Sequence, residues 1–260
     1  MPAAKPHPQP AANPARFACA DPAAPARCFA LVPCAGSGSR AGTAQPKQYQ
    51  VIAGQALVMH TLHALAGVAR LQGGLVVLTP GDDFAWPVGA PWPGLFVRQA
   101  CGGATRAQTV FQGLHALGAL GVRDIDWVLV HDAARCLVTP QLVDALIDAC
   151  LGDPVGGLLA LPLPDTLKQE VDGRSHTTVP RADKWLAQTP QMFRLGALRD
   201  ALAAKHADGF AGITDEASAM ELAGHAPLLV AGSAHNFKVT YAQDFALAAA
   251  VLEQVYHEGI

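Results

Sequence analysis

The residues best suited to chemistry fall in three short stretches that combine small residues with cations. The first is Pro33-Cys-Ala-Gly-Ser-Gly-Ser-Arg40, followed closely by Pro46-Lys-Gln-Tyr49. Gly36 and Gly38 omit side chains where a backbone could approach a phosphate, which leaves amide N–H groups as donors. Arg40 and Lys47 add two cations to the same loop, a combination suited to the concentrated negative charge of a nucleoside triphosphate. The spacing Gly-x-Gly-x-x-x-Gly from Gly36 to Gly42 is one residue off the dinucleotide fingerprint. No Gly-Lys-Ser/Thr follows, so the loop is not a P-loop either. Taken alone, an ordinary glycine-rich turn with solvated cations would read the same way.

The second stretch is Gly102-Gly-Ala-Thr-Arg106, with Thr109 one helical turn on. Small residues and an arginine at a helix start can receive a base and part of a phosphate, although an N-cap alone explains them equally well. The third is Val128-Leu-Val-His-Asp-Ala-Ala-Arg135, in which His131, Asp132 and Arg135 directly follow an apolar run. In an open α/β sheet that position is the carboxyl edge, where ligands bind. Asp132 is suited to orienting a hydroxyl or to sitting near a metal–phosphate complex, and Arg135 to binding a phosphate. The structural alternative is an Asp–Arg ion pair with a core histidine, and for His131 the core role is preferred. Arg181, Thr189-Pro-Gln191, Thr214-Asp-Glu216 and Asn236-Phe-Lys238 are weaker polar clusters beside breaks in the pattern. Among these Lys238 stands out, because a lysine in an apolar context needs an anionic partner.

The elements that must position these residues alternate along the chain. Apolar runs at residues 28–32, 75–78, 95–97, 127–130 and 157–160 predict buried strands, and continuous runs suit a parallel sheet covered on both faces. Helical spacing links Val58, Thr61, Leu62 and Leu65, and then Val110, Leu114 and Leu117. Thr139-Pro140 predicts a helix start, as does the capping hydroxyl of Thr214, with Gly224 ending the latter helix. Thr240 and Gln243 predict a capping box for the last helix. The alternation predicts one doubly wound α/β domain over residues 28–260. Residues 165–179 interrupt it with a polar hairpin around Asp172-Gly173, which buries little by itself and needs something to pack on, such as a second subunit.

Composition narrows the classes. The chain has 260 residues, 51% of them hydrophobic and 15% charged, enough for one large globular domain. Its formal net charge of −3 gives no global reason to bind nucleic acid or an anionic membrane. No apolar run reaches the length of a membrane span. The six cysteines form no Cys-x-x-Cys pair and no zinc spacing, so free thiols in a reducing cytoplasm are expected. Residues 1–27 are rich in proline and alanine without apolar periodicity, and predict a disordered extension rather than a secretory signal.

With these motifs in order, the sequence resembles the 2-C-methyl-D-erythritol 4-phosphate cytidylyltransferase family over most of residues 28–256. The Val128–Arg135 element carries the most specific match, supported by Asp165-Thr-Leu-Lys168, Thr189-Pro-Gln191, Thr214-Asp-Glu-Ala-Ser218 and Asn236-Phe-Lys-Val-Thr240. The resemblance implies a Rossmann-like fold, mostly parallel, in which the hairpin at about 165–181 is an arm reaching across a homodimer. It implies transfer of CMP from CTP to 2-C-methyl-D-erythritol 4-phosphate, with Mg²⁺ bound mainly through the CTP phosphates and no dedicated protein metal ligands. Arg40, Lys47, Arg181 and Lys238 match catalytic positions. Cys34, Ala35, Gly103 and Thr109 match positions that recognise cytidine, and Gly36, Gly38 and Arg106 lie in the same nucleotide-binding motifs. Asp132, Arg135, Thr189 and Thr214 fall on the acceptor side, with Arg181 and Thr189 supplied by the neighbouring subunit. The sequence departs from the family pattern at Cys34 and Ala41, where Ala and Met are usual, and at Pro180 and His235, where acidic residues are common. Ending at Ile260, the chain is not expected to carry the cyclase domain fused to some relatives.

The alternatives are a ribitol 5-phosphate cytidylyltransferase, a more distant guanylyl- or uridylyltransferase, and a non-catalytic nucleotide-binding regulatory module. The combination of Arg40, Lys47, Asp132 and Lys238 weighs against the last, and the glycine spacing against an NAD-dependent dehydrogenase. In the expected reaction a phosphate monoester, already ionised at neutral pH, attacks the α-phosphorus of CTP. The site therefore needs cations and alignment rather than a nucleophile or a general base.

Overall fold

The computed structural model describes residues 16–19, 21–36, 46–82 and 91–258. The first strand, β1 (Cys28–Pro33), leads through a one-turn 3-10 helix at Lys47–Tyr49 to the short pair β2 (Val51–Ile52) and β3 (Gln55–Ala56). There follow α1 (Leu57–Ala66), β4 (Leu71–Val77), β5 (Phe96–Gln99), α2 (Arg106–Ala119), β6 (Trp127–Val130), α3 (Pro140–Leu151) and β7 (Gly156–Pro162). The chain then forms β8 (Leu167–Val171), β9 (Arg174–Val179), β10 (Trp185–Arg194), α4 (Leu195–Ala203), α5 (Glu216–Leu222), β11 (Leu228–Ala231) and α6 (Ala242–Glu258).

Seven strands make one sheet in the order β11-β7-β10-β6-β1-β4-β5. Only β10 runs antiparallel to its neighbours. The central strands are covered on both faces, which explains their unbroken apolar runs. In β1, Phe29 and Leu31 point to the layer holding α2, α4 and α5, while Ala30 and Val32 point to the layer holding α1 and α3. A mostly parallel α/β fold was the expectation, and that is the architecture found.

Local signals explain several boundaries. The Thr139 hydroxyl accepts from the Leu142 N–H and caps α3, with Pro140 in the first turn, where its missing N–H costs nothing. Asp172 and Gly173 both have positive φ, 50° and 74°, so the expected turn joins β8 to β9. Two expected caps move by a residue or more. The α5 cap is Asp215, in a reciprocal box with Ser218, in place of Thr214. The last helix is started by Asp244, whose carboxylate accepts from the Thr240 and Tyr241 N–H groups, in place of a Thr240–Gln243 pair. In both cases a carboxylate takes the position, where it also meets the positive end of the helix dipole.

Two further expectations are corrected. The Pro/Ala-rich extension does not run to residue 27 as a disordered segment, because residues 16–19 and 21–27 lie against the domain; residues 1–15 and Ala20 lie outside the described residues. Phe17 is 7% exposed, stacks near Phe29 at a ring-centroid distance of 5.3 Å, and its N–H bonds the Leu120 carbonyl. Arg27 and Arg123 both close on the buried Asp126, and Arg123 also donates to the carbonyls of Pro22, Ala24 and Pro25. Proline carbonyls make good acceptors for arginine, so a proline-rich stretch can be pinned without regular structure. The second concerns the break read at Thr189-Pro-Gln191, which lies inside β10, a strand within the sheet that carries Pro190. Its ladder with β7 shifts register between Ala187 and Gln191, and this irregularity accommodates a residue with no N–H to donate.

Candidate active site

Two adjoining cavities open at the carboxyl edge of the sheet. One, of about 250 Å³, is lined by the end of β1 (Pro33 to Gly36), Lys47, Gln48 and residues 132–134 after β6. The other, of about 200 Å³, is lined by Arg135, residues 187–189, Gln191, Thr214 and Asp215. Arg106, Asp132 and Lys238 belong to both and form the wall between them.

That wall is a chain of charges. Asp132 receives the Arg106 Nε–H at 2.7 Å on one oxygen and lies 2.6 Å from Lys238 Nζ through the other. Burial alone would raise the Asp132 pKa, but Arg106 and then Lys238 outweigh it and hold the carboxyl far below its usual range. The remaining Arg106 nitrogens donate to Glu216 at 2.7 and 3.0 Å. Burial would likewise lower the Arg106 pKa; the two carboxylates reverse that, so it stays charged.

The glycine loop is held from behind. Gln48 donates both amide hydrogens, to the Cys34 and Gly36 carbonyls at 3.1 and 3.0 Å. Lys47, on the same turn, donates to the Val239 carbonyl at 2.9 Å, tying this loop to the segment that carries Lys238. A Cβ on Gly102 would collide with the Ala35 methyl and the Leu78 carbonyl, so glycine there lets two loops meet. Cys34 is buried, and burial pushes its thiol well above the usual range, which makes it packing rather than a nucleophile.

On the other side, His131 is fully buried between the Thr189 hydroxyl and the Arg135 carbonyl, and burial lowers its pKa to about 4. It is a neutral core residue, as preferred. Thr189 in turn accepts from the Asp132 N–H at 3.0 Å. Arg135 does not pair with Asp132. It donates to the Asn236 and Ala187 carbonyls, while among the described residues its buried Nε has no partner and its guanidinium no carboxylate counter-ion beside the second cavity.

The protein-family description "2-C-methyl-D-erythritol 4-phosphate cytidylyltransferase" matches residues 28–254, nearly the whole fold described above. The chain belongs to this cytidylyltransferase family. The 2-C-methyl-D-erythritol 4-phosphate cytidylyltransferase of Paraburkholderia phytofirmans is 52% identical over 233 residues, covering 88% of this chain and 97% of that protein. The bifunctional enzyme IspD/IspF of Albidiferax ferrireducens is 59% identical over 226 residues; the match covers 87% of this chain but 53% of that enzyme's length. Among solved structures, a 4-diphosphocytidyl-2C-methyl-D-erythritol synthase superposes with a TM-score of 0.76 at 37% identity, covering 88% of this chain and all of that one.

Within this cytidylyltransferase fold the expected residues divide into groups. Cys34, Ala35, Gly36, Lys47, Arg106, Asp132, Arg135, Thr189, Thr214 and Lys238 all line one cavity or both. Gly38 and Arg40 lie outside the described residues. Gly103 and Thr109 line neither cavity; the buried Thr109 hydroxyl accepts the Gly103 N–H and so shapes the loop from inside. Thr189, expected from a neighbouring subunit, sits instead against Asp132 of the same chain, because β10 pairs directly with β6. Arg181 lies exposed just past the exposed arm strand β9 and lines neither cavity. Lys238 finds its anionic partner, although on a loop rather than in a strand.

Sequence reasoning quoted Gln48, Gln191 and Glu216 inside its motifs without giving them a role, and missed Gln188 altogether. Gln191 donates to Asp215 and accepts from the Ala217 N–H, joining β10 to the start of α5. Gln188 and Asn236 bond each other and fasten the Lys238 loop to β10. The available signal was membership of a polar motif, as with Gln48 next to Lys47 and Glu216 after Thr214-Asp215.

Proposed function

We infer that this chain transfers CMP from CTP to 2-C-methyl-D-erythritol 4-phosphate, releasing pyrophosphate, in the non-mevalonate route to isoprenoid precursors. Beside family membership, the observation that carries this reading is the pair of adjoining cavities sharing a charged wall. The cavity beside the glycine loop and Lys47 is suited to the nucleotide. The one beside Arg135, Thr189 and Thr214 is suited to a phosphorylated polyol. An acceptor phosphate oxygen would meet the α-phosphorus near the wall; the new P–O bond forms as the bond to the β-phosphate breaks. Lys47 and Lys238 supply fixed positive charge to the reacting groups, and Asp132, held ionised, offers lone pairs to acceptor hydroxyls.

Among the described residues no group of three or more His, Cys, Asp or Glu side chains is placed to hold a metal ion. Asp132 has both oxygens committed to cations. This donor set fits a Mg²⁺ held mainly by CTP phosphate oxygens and water, where it would neutralise triphosphate charge. We further read the exposed arm, β8 and β9, as a dimerisation element that brings Arg181 to the acceptor cavity of a second copy. Strand pairing within the arm leaves its side chains largely exposed, consistent with a surface awaiting a partner. No described helix is long and apolar enough to cross a membrane. All six cysteines are free thiols, which suits a reducing compartment, and on that chemistry we assign the chain to the cytoplasm.

The test is pyrophosphate release with CTP and Mg²⁺, comparing methylerythritol phosphate with ribitol 5-phosphate. Turnover with methylerythritol phosphate well above ribitol phosphate is expected. Equal or better use of ribitol phosphate would overturn the acceptor assignment, and no release with either would overturn the activity.

A further inference from the structure

Glu216 is the one member of the charge chain that lines neither cavity, yet it is 2% exposed and grips the residue at the centre of the wall. We propose that Glu216 is a positioning residue for the acceptor half of the reaction, acting through Arg106 to keep Asp132 open for Lys238. This rests on the functional reading above and deepens it.

A guanidinium prefers to meet a carboxylate with two parallel N–H groups. Left alone with Asp132, Arg106 would take both oxygens in this way. Glu216 sets a different orientation by accepting from both terminal nitrogens, at 2.7 and 3.0 Å, and in that orientation Arg106 meets Asp132 through Nε alone, on Oδ1. Oδ2 is then available to Lys238 at 2.6 Å. The order Glu216–Arg106–Asp132–Lys238 crosses from the first turn of α5 to the start of α2, to the loop after β6, and to the loop before α6. It therefore sets the relative placement of four separate segments at the wall. Glu216 itself is secured by the α5 cap, in which Asp215 and Ser218 bond reciprocally, and by Gln191, which accepts from the Ala217 N–H. The charges also balance, two cations against two carboxylates, so removing one leaves Arg106 free to redistribute.

The experiment is Glu216→Gln, which preserves shape and removes the charge. With the wild type turning over methylerythritol phosphate, the variant should lose kcat/KM for that acceptor on the order of tenfold to a hundredfold, the effect of misplacing a reacting group by about an ångström. The KM for CTP should change several-fold less than that for the acceptor, because the glycine loop and Lys47 are held by Gln48 and the Val239 carbonyl and not by Glu216. Glu216→Asp keeps the charge but shortens the reach, and should show the same split more weakly. In a double-mutant cycle, adding Glu216→Gln to Arg106→Gln should cost little more than Arg106→Gln alone. A crystal structure of Glu216→Gln, which needs no turnover, should show Arg106 two-pronged on Asp132 and Lys238 Nζ drawn away from it. That readout stands even if the wild type proves inactive on methylerythritol phosphate, an outcome that would sink the acceptor assignment and not this arrangement. Unchanged kinetics in a folded variant, equal losses for CTP and acceptor, or an unmoved Asp132–Lys238 pair would overturn the proposal. Should Glu216→Gln fail to fold, the same comparisons are made on Glu216→Asp.

Discussion

Lys47 shows how a single side chain gains a role from its neighbours. Its ammonium is tied to the Val239 carbonyl and faces the cavity beside the glycine loop. Removing a positioned cation from a phosphoryl-transfer site costs on the order of a hundredfold to a thousandfold in turnover. Lys47→Ala should therefore lower kcat by that factor in the pyrophosphate assay while its urea midpoint stays near the wild-type value; near-normal turnover would remove Lys47 from the mechanism. His131 makes the opposite case, a polar residue in a catalytic motif whose work is structural. Burial lowers its pKa from 6.5 to about 4, so the unfolded chain takes up a proton before the folded one does. Stability contributed by the neutral ring is complete above pH 6.5 and falls as the pH drops toward 4, by at most about 1.4 kcal/mol per pH unit. His60, also lowered by burial, adds to the loss in the same direction. Unfolding free energies of His131→Gln measured from pH 6.5 down to 4.5 should decline less steeply than those of the wild type. Parallel slopes would show that His131 is not titrating in that window.

Among the elements, the N-terminal strap and α5 carry consequences that their local sequence hides. The Phe17 ring lies over Gly73, where any Cβ would collide with it, and joins the cluster beneath α2 with Phe29 and Leu120. A buried Phe→Ala change costs about 3–5 kcal/mol through lost transfer energy and the cavity left behind. Phe17→Ala should lower stability by that amount in urea denaturation, with kinetic constants at 25 °C unchanged because the strap is at the opposite edge of the sheet from the cavities. A loss under about 1 kcal/mol would mean that the strap merely rests on the domain. Periodicity gave no hint of it, since one aromatic among prolines and alanines has no period. By contrast α2 and α3 were visible in their apolar spacing, because each buries one stripe against the sheet, and α1 because most of its residues are apolar and buried.

At the scale of the whole molecule, the arm is an element whose side chains mostly face away from the core. Its strands pair with each other and expose most of their side chains, while Trp185, Leu186 and Leu229 near the same end of the sheet are also exposed. If the arm brings Arg181 to a second copy, Lys47→Ala and Arg181→Ala disable different members of a shared site. Each variant alone should be inactive, and mixed dimers should regain about a quarter of wild-type activity, from the one site in the half-mixed population that holds both residues. Absence of recovery after subunit exchange, with exchange verified by mass, would place the whole site within one chain.

The sequence by itself determined the alternating α/β order, the hairpin turn at Asp172-Gly173, the loop after β6 that carries Asp132, and the choice of Lys47 and Lys238 as the cations to watch. These are local properties: backbone freedom at glycine, apolar period, and the clustering of cations beside small residues. Only the tertiary structure decided who pairs with whom. Asp132 takes Arg106 and Lys238 rather than the nearby Arg135, because α2 and the segment before α6 converge on the end of β6. Thr189 joins the same chain's site because β10 enters the sheet antiparallel between β6 and β7. Glu216, 84 residues from Asp132 in sequence, reaches it through one arginine. Charge pairing depends on distance in space, and no spacing along a chain encodes it.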